Sequence, residues 1–297
     1  MFINAIRKVT FMSIKLLTDS ASDLPLSFFQ ENNVGFLPLR VSLDNQEFLD
    51  LQTIEPASVY EAIRKGKMPK TSQAAPTTMY EVFENIAKSG DSCIYLAFSS
   101  ELSGTYQTAM MIREELLEKY PDFQLEIIDT KCASLGQGVV TYYAAQLLHQ
   151  NLSLVEMTEK IKQYALHMEH IFTVDDLDFL AQGGRVSKAS AFVGGLLNIK
   201  PLLHVEDGKL IPIEKIRGRK KVFKRMLDVM EERGKNLSSQ TIGISHGDDL
   251  ETALQLKEMI QERFGTKHFI INIIGAAIGS HSGPGTIAVF FLNETIE

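Results

Sequence analysis

From Ser13 to Gln150, short apolar runs alternate with longer segments whose apolar residues recur at helical spacing, and few folds accommodate that alternation. Ser13 to Thr18 reads as a buried strand, Ile14-Lys15-Leu16-Leu17. It ends in the polar turn Asp19-Ser20-Ala21-Ser22-Asp23, in which Ser22 or Asp23 can cap the helix that follows. Val34 to Val41 reads as a second strand. Glu55-Pro56 opens a helix with Tyr60 and Ile63 on one face and Gly66 at its end, and Pro76-Thr77-Thr78 opens another that carries Tyr80, Phe83 and Ala87 before Gly90. The strand Cys93 to Phe98, a serine-rich turn, a long helix to Tyr120, the strand Leu125 to Ile128 and a helix from Leu135 to Gln150 continue the series. Repeated strand-then-helix units give a mostly parallel sheet covered on both faces, an α/β domain of three α/β/α layers.

The pattern then changes. A helix from Val155 to Met168 leads into a second unit near Ile171, where strand-like Pro201 to Val205 and Leu210 to Ile213 flank the hairpin signal Glu206-Asp207-Gly208. A basic helix from Arg219 to Glu232, a strand at Thr241 to Ser245, a helix from Asp248 to Phe264 and strands at His268 to Ile273 and Thr286 to Leu292 make an α/β unit with a mixed sheet. A chain of 297 residues suits two domains of about 150 each. The division expected is residues 13–168 and 169–297, with residues 1–12 an extension and Met12 an alternative start. A net charge of −7 lacks the electrostatic footprint of a nucleic-acid binder. Cys93 and Cys132 have no CxxC spacing, which argues against a disulfide framework or structural zinc and suits a reducing cytoplasm. Met1 to Phe11 lacks the apolar core and cleavage site of a signal peptide, and no window approaches the roughly 18 apolar residues of a membrane span. Any lipid connection therefore runs through a pocket rather than through insertion.

Three distant segments each offer hydrogen-bonding groups without a fixed charge: Thr71-Ser72-Gln73 after Lys70, Leu102-Ser103-Gly104-Thr105, and Gly279-Ser280-His281-Ser282-Gly283-Pro284-Gly285. The hydroxyls of Thr71 and Ser103 and one nitrogen of His281 can donate to an oxyanion such as a carboxylate or phosphate. Ligands of open α/β sheets sit beyond the carboxyl ends of strands, so the Asp19-Ser20 and Ser99–Thr105 turns should face one crevice. Gly104 begins a helix whose amino end favours negative charge. Ser99, Ser100 and Ser103 are equally suited to capping that helix. Lys70 to Gln73 reads as a plain loop between two helices. His281 stands out because Gly279, Gly283 and Gly285 let its backbone approach a ligand closely. His149, His167 and His170 read as helix-face or helix-end residues, solvated or satisfied in the core, and no pair has metal-ligand spacing.

Six elements in this order resemble the DegV family: Thr18-Asp19-Ser20-Ala21-Ser22-Asp23, Thr71-Ser72-Gln73, Ser99-Ser100-Glu101-Leu102-Ser103-Gly104-Thr105, Leu180-Ala181-Gln182-Gly183-Gly184-Arg185-Val186, Ile199-Lys200-Pro201 and His281-Ser282-Gly283-Pro284-Gly285. The resemblance covers essentially the whole chain after Met12. It implies a cytoplasmic lipid-binding carrier without catalytic activity, cofactor or metal, holding a long-chain fatty acid such as palmitate between its two domains. Such a carrier presents the carboxylate to the separate catalytic subunit of a bacterial fatty acid kinase, or serves lipid transport. On this sequence the resemblance puts the carboxylate against Thr71 and Ser103 with His281 close by, Arg185 orienting the cluster, and Arg217 in the region that meets the kinase. Ala74 departs from the proline usual in the family at that point but removes no donor.

The residues support the same ligand class. Neutral donors balance one carboxylate without burying an uncompensated cation, and a long tail needs a dry channel. Burial at about 0.8 kcal/mol per CH₂ makes the tail the main source of affinity. Phe172, Phe179, Phe192, Val193, Leu196 and Leu197 are candidates to line that channel or to fill ordinary core. Lys215, Arg217, Arg219, Lys220, Lys221, Lys224 and Arg225 form either a solvated face or a docking patch for an acidic partner. Nucleic acid and membrane insertion are not expected, which leaves room for transient membrane contact. Two other functions compete. An acyl hydrolase or transferase using Ser103 and His281 lacks the Gly-x-Ser-x-Gly elbow and a carboxylate to orient the histidine. A nucleotide-binding kinase lacks the Gly-x-x-x-x-Gly-Lys-Ser/Thr loop.

Overall fold

The computed structural model of the protein describes residues 13–186 and 199–296. The expected extension at 1–12, and the lining candidates Phe192, Val193, Leu196 and Leu197, lie outside the described residues. The first half runs β1 (Ile14–Asp19), α1 (Leu26–Glu31), β2 (Gly35–Leu37), β3 (Arg40–Leu43), β4 (Gln46–Leu49), α2 (Pro56–Arg64), β5 (Lys70–Ser72), α3 (Pro76–Ser89), β6 (Ser92–Ala97), α4 (Thr105–Lys119), β7 (Leu125–Asp129), α5 (Leu135–Leu147) and α6 (Leu154–Leu166). Strands in the order β2-β1-β6-β7 form a wholly parallel sheet. Every residue of β6 is buried, as a strand covered on both faces must be. Phe83, Tyr95 and Leu116 pack α3 and α4 on one face, while Leu16, Ile94 and Leu96 meet α5 and α6 through Val139, Val140 and Ile161 on the other. The three-layer α/β/α arrangement follows.

Three local expectations change. The run from Val34 to Val41 divides at Pro38, which has no N–H for a ladder, so β2 stays in the parallel sheet while β3 enters a small antiparallel sheet ordered β4-β3-β5. Lys70 to Ser72 is therefore a strand rather than a loop, with Thr71 opposite Val41. In the turn after β1, Asp19 is the capping residue, accepting from the Ala21 amide at 3.1 Å, and neither Ser22 nor Asp23 caps α1. Asp23 takes a positive φ of 52° and sends its carboxylate to the other half of the molecule.

That half contains β8 (Met168–Thr173), α7 (Asp178–Gln182), β9 (Ile199–Glu206), β10 (Lys209–Arg217), α8 (Arg219–Arg233), β11 (Thr241–His246), α9 (Leu250–Phe264), β12 (His268–Ile273), α10 (Ala276–Ser282) and β13 (Ile287–Leu292). Six strands form a mixed sheet ordered β10-β9-β8-β13-β11-β12, with β11 and β12 parallel and the remaining pairs antiparallel. The hairpin turn at Asp207-Gly208 has both φ values positive, the geometry that suits right-twisted strands. The outer face of this sheet packs on α8 and α9 through Ile171, Leu202, Ile244 and Phe291. Its inner face, with Phe172, Leu203, Ala288 and Phe290, looks back toward the parallel sheet.

Helix α5 lies between the two sheets, and Leu135 to Thr141 are all buried. A Cβ on Gly136 would fall 2.1 Å from His170 Nε2, and one on Gly138 would fall 2.5 Å from the Ser22 carbonyl oxygen. Glycine inside a helix costs about 1 kcal/mol relative to alanine, and here neither position has room for a side chain. Further ties cross between the halves. Ser99 Oγ donates to the Gly208 carbonyl at 2.9 Å, Tyr60 Oη to the Ile274 carbonyl at 3.0 Å, and the Gly275 and Ala276 amides to Asp23 and Asp50 at 2.8 and 3.0 Å.

Candidate functional site

Between the sheets is a cavity of about 380 Å³. Its roof includes Leu39, Phe98 and Leu102, and its floor Phe172, Ala288 and Phe290, so its walls are largely apolar. Thr71, Ser103, Arg185 and His281 all line it, although they come from β5, the turn before α4, the turn after α7, and α10. Phe172 lines it as well, whereas the Phe179 ring packs against Gly283 instead, 2.8 Å from where a Cβ there would lie.

Thr71 Oγ1 and His281 Nε2 are 2.6 Å apart. With the proton on Nε2 the ring donates to Thr71, whose own hydroxyl proton is then free to point at an anion in the cavity. Burial, reinforced by the nearby Arg185 charge, lowers the His281 pKa to about 4, so the ring is neutral at physiological pH. His281 rides on the last turn of a helix rather than on the glycine-rich loop its surroundings suggest, because side chains from the other half hold that helix's start. Gly183 is needed beneath the ring, since a Cβ there would lie 2.3 Å from Nδ1.

Ser103 Oγ is 2.8 Å from Thr105 Oγ1 and accepts from the Thr105 amide at 3.2 Å, at the start of α4. Its cap-like bond and its place on the cavity wall therefore coexist. Arg185 Nε donates to the Leu102 carbonyl at 3.3 Å and Nη1 to the Gly183 carbonyl, clamping the serine turn to the turn that supports His281. Ser103 and His281 are not hydrogen-bonded to each other, and the charge acting on the histidine is a cation. A nucleophile and base pair needs the opposite on both counts.

The Asp19-Ser20 turn does not reach the cavity wall. Asp19 accepts from Tyr95 Oη at 3.0 Å, the Phe98 amide at 2.8 Å and Gln137 Nε2 at 3.2 Å, which fixes the strand end from which the Ser99–Gly104 turn departs. Burial raises its pKa to about 6. His170, expected on a helix, is a buried residue of β8 on the cavity wall. Its Nε2 accepts from the Ala133 amide at 3.2 Å, leaving Nδ1 to donate to the Met168 carbonyl at 3.0 Å, and burial lowers its pKa to about 4. The β-branched and aromatic run Ile171-Phe172-Thr173 is the local signal for this strand, and the residues before it do not alternate. Arg217 ends the edge strand β10, exposed and away from the cavity. Among the described residues no cluster of His, Cys, Asp or Glu could hold a metal ion, and no helix is long and apolar enough to cross a membrane.

A family model described as "Uncharacterised protein, DegV family" matches residues 13–294. A DegV domain-containing protein of Clostridium perfringens is 45% identical over 285 residues, covering 95% of this chain and 98% of its own. A DegV family protein from Thermus thermophilus, whose structure is described by its fatty acid binding, matches with a TM-score of 0.85 and 30% identity over 94% of this chain and 99% of its own. DegV of Bacillus subtilis, described as a fatty acid binding protein, matches with a TM-score of 0.83 and 28% identity over 94% and 99%.

Proposed function

Because the chain belongs to the DegV family, we propose that it binds one long-chain fatty acid in the cavity between its sheets and presents the carboxylate to a separate kinase subunit. The observation that carries this reading is the cavity's asymmetry: walls that are largely apolar with a few single hydroxyls, and a polar cluster of Thr71, Ser103 and a neutral His281. Hydroxyl donors, with the Thr71 proton freed by the imidazole, suit a single carboxylate, while the largely apolar walls suit a tail whose burial contributes about 0.8 kcal/mol per CH₂. Arg185 holds the two head-group turns together. The fatty acid binding described for the Thermus and Bacillus proteins supports the same ligand. The site lies between a domain of residues 13–168 and one of residues 169–297, and Arg217 is the docking residue for the kinase subunit.

Organic extraction of the purified protein followed by mass spectrometry tests the ligand. A long-chain fatty acid at close to one per chain is the expected result. A nucleotide or sugar phosphate in its place, with no fatty acid taken up by the extracted protein, would refute it.

A further inference from the structure

A chain of hydroxyl groups reaches the cavity wall far from the head-group end. Ser134, just before α5, has its Oγ against Asp23 Oδ2 and 2.9 Å from Ser245 Oγ on β11, and both serines line the cavity. Asp23 in turn accepts from the Gly275 amide, at the start of α10. His281 lies six residues further along, a rise of about 9 Å at 1.5 Å per residue. The serines therefore reach the cavity wall about the length of α10 away from His281, beside Ile274, Ala277 and Phe290, where a bound fatty acid would present its chain rather than its carboxylate.

Counting protons shows what is left over. Ser134 has one hydroxyl proton and two partners, so one of the two contacts uses its lone pair. With Asp23 neutral, as burial favours, Asp23 donates to Ser134 and Ser134 to Ser245; the Ser245 proton then has no acceptor among the described residues. With Asp23 ionised, Ser134 donates to it, Ser245 donates to Ser134, and the Ser245 lone pairs are left over. Either way one hydrogen-bonding function of Ser245, a residue of the cavity wall, is left without a partner among the described residues. Ser282 repeats the pattern nearer the head: it lines the cavity, is 6% exposed, and its Oγ has no partner among the described residues. A buried hydroxyl left unpaired shifts an equilibrium roughly 5- to 150-fold the wrong way, which is a reason for a tail-binding wall not to contain one.

We propose that Ser245, backed by Ser134 and Asp23, is a polar station for a hydroxyl group on the ligand's chain, which makes hydroxylated long-chain fatty acids a ligand class of this protein. A hydroxyl both donates and accepts, so it fits either proton arrangement, whereas a keto oxygen fits only one. The inference rests on the fatty acid reading above.

The test uses protein freed of lipid, titrated calorimetrically with hexadecanoic acid and with hexadecanoic acids bearing one hydroxyl at successive carbons. Most positions should bind about 5- to 150-fold more weakly than the unsubstituted acid, because their hydroxyl is buried unpaired. One mid-chain position should escape the penalty. In Ser245→Ala the ratio of dissociation constants for that position and for hexadecanoic acid should rise at least fivefold, and Ser245→Thr, which keeps the hydroxyl, should restore it. A uniform penalty along the chain overturns the proposal. So does a favoured position that survives Ser245→Ala, or one abolished only by Ser282→Ala. If the wild-type protein does not bind hexadecanoic acid at all, the fatty acid reading itself fails and takes this inference with it.

Discussion

At His281, burial and the Arg185 charge act in the same direction and hold the imidazole neutral at physiological pH. A neutral ring cannot offset a ligand's charge, so on the proposed reading a carboxylate is held by hydrogen bonds, and each should cost a modest amount when removed singly. Ser103→Ala should weaken fatty acid binding by about 0.5–1.5 kcal/mol, rising to about 3 kcal/mol where the carboxylate is desolvated, as read by titration. Intact-mass measurement of the wild type incubated with an acyl ester should show no adduct on Ser103, since no base is bonded to it. That Ser103 and His281 stand apart from ordinary core is legible in the sequence because polar residues beside glycines interrupt apolar periodicity, whereas Thr71 joins them on the cavity wall from a segment that reads as a plain loop. His170 is not, because α6 ends at Leu166 without glycine or proline and β8 begins at Met168, so nothing in the sequence separates helix from strand.

The element that most misleads a reader of the sequence is α10. Gly279-Ser280-His281-Ser282-Gly283 has the composition of a loop, and its helix propensity is poor. It is helical because Asp23 and Asp50, from the far side of the molecule, accept the amide protons of Gly275 and Ala276, and because Tyr60 stands against Gly279. Contacts this distant in sequence leave no trace in local pattern, whereas α3 is legible from its periodicity between Pro76 and Gly90, and α9 from its Asp249 cap and Gly265. Lys70 to Ser72 is similarly hidden, three residues being too few to display alternation. A test of the α10 account is Gly279→Ala, whose Cβ would lie 2.6 Å from Tyr60 Oη and displace the ring from the Ile274 carbonyl. The expected cost is about 1–3 kcal/mol, seen as a melting temperature several degrees lower. An unchanged melting temperature would mean that Tyr60 does not brace the helix.

For the molecule as a whole, buried titratable groups pull in opposite directions with pH. His170 and His281, lowered from 6.5 to about 4, contribute stability that is present above pH 6.5 and lost as pH falls through about 4. Asp19 and Asp50, raised by burial from 3.8 to about 6, contribute stability that is present below pH 3.8 and lost as pH rises through about 6. The opposed windows overlap between about pH 4 and 6, where the two sets partly offset each other, with Asp23, also raised by burial, adding to the acid-favoured side. Asp19→Asn removes one of the acid-favoured contributions, so its urea midpoint should fall more steeply than the wild type's from pH 6.5 to 4.5. Equal slopes would show that Asp19 titrates normally. At the same scale, Arg217→Glu should leave fatty acid affinity unchanged, because an exposed charge is screened within about 8–10 Å at physiological salt. On the proposed role, acyl phosphate formation with a kinase subunit and ATP should drop, and added salt should reproduce part of the loss in the wild type. Wild-type turnover at limiting carrier would place the docking surface elsewhere. The strand order also has a consequence for biosynthesis. β13 sits between β8 and β11, yet it is the last described strand in the chain. Until the ribosome has delivered residues 287–292, β8 to β10 and β11 to β12 are separate pieces with open edges, and the cavity has no complete floor. Closure of the cavity therefore waits on this strand, and a folding chain gains the shape of the site only once β13 has slotted between its two neighbours.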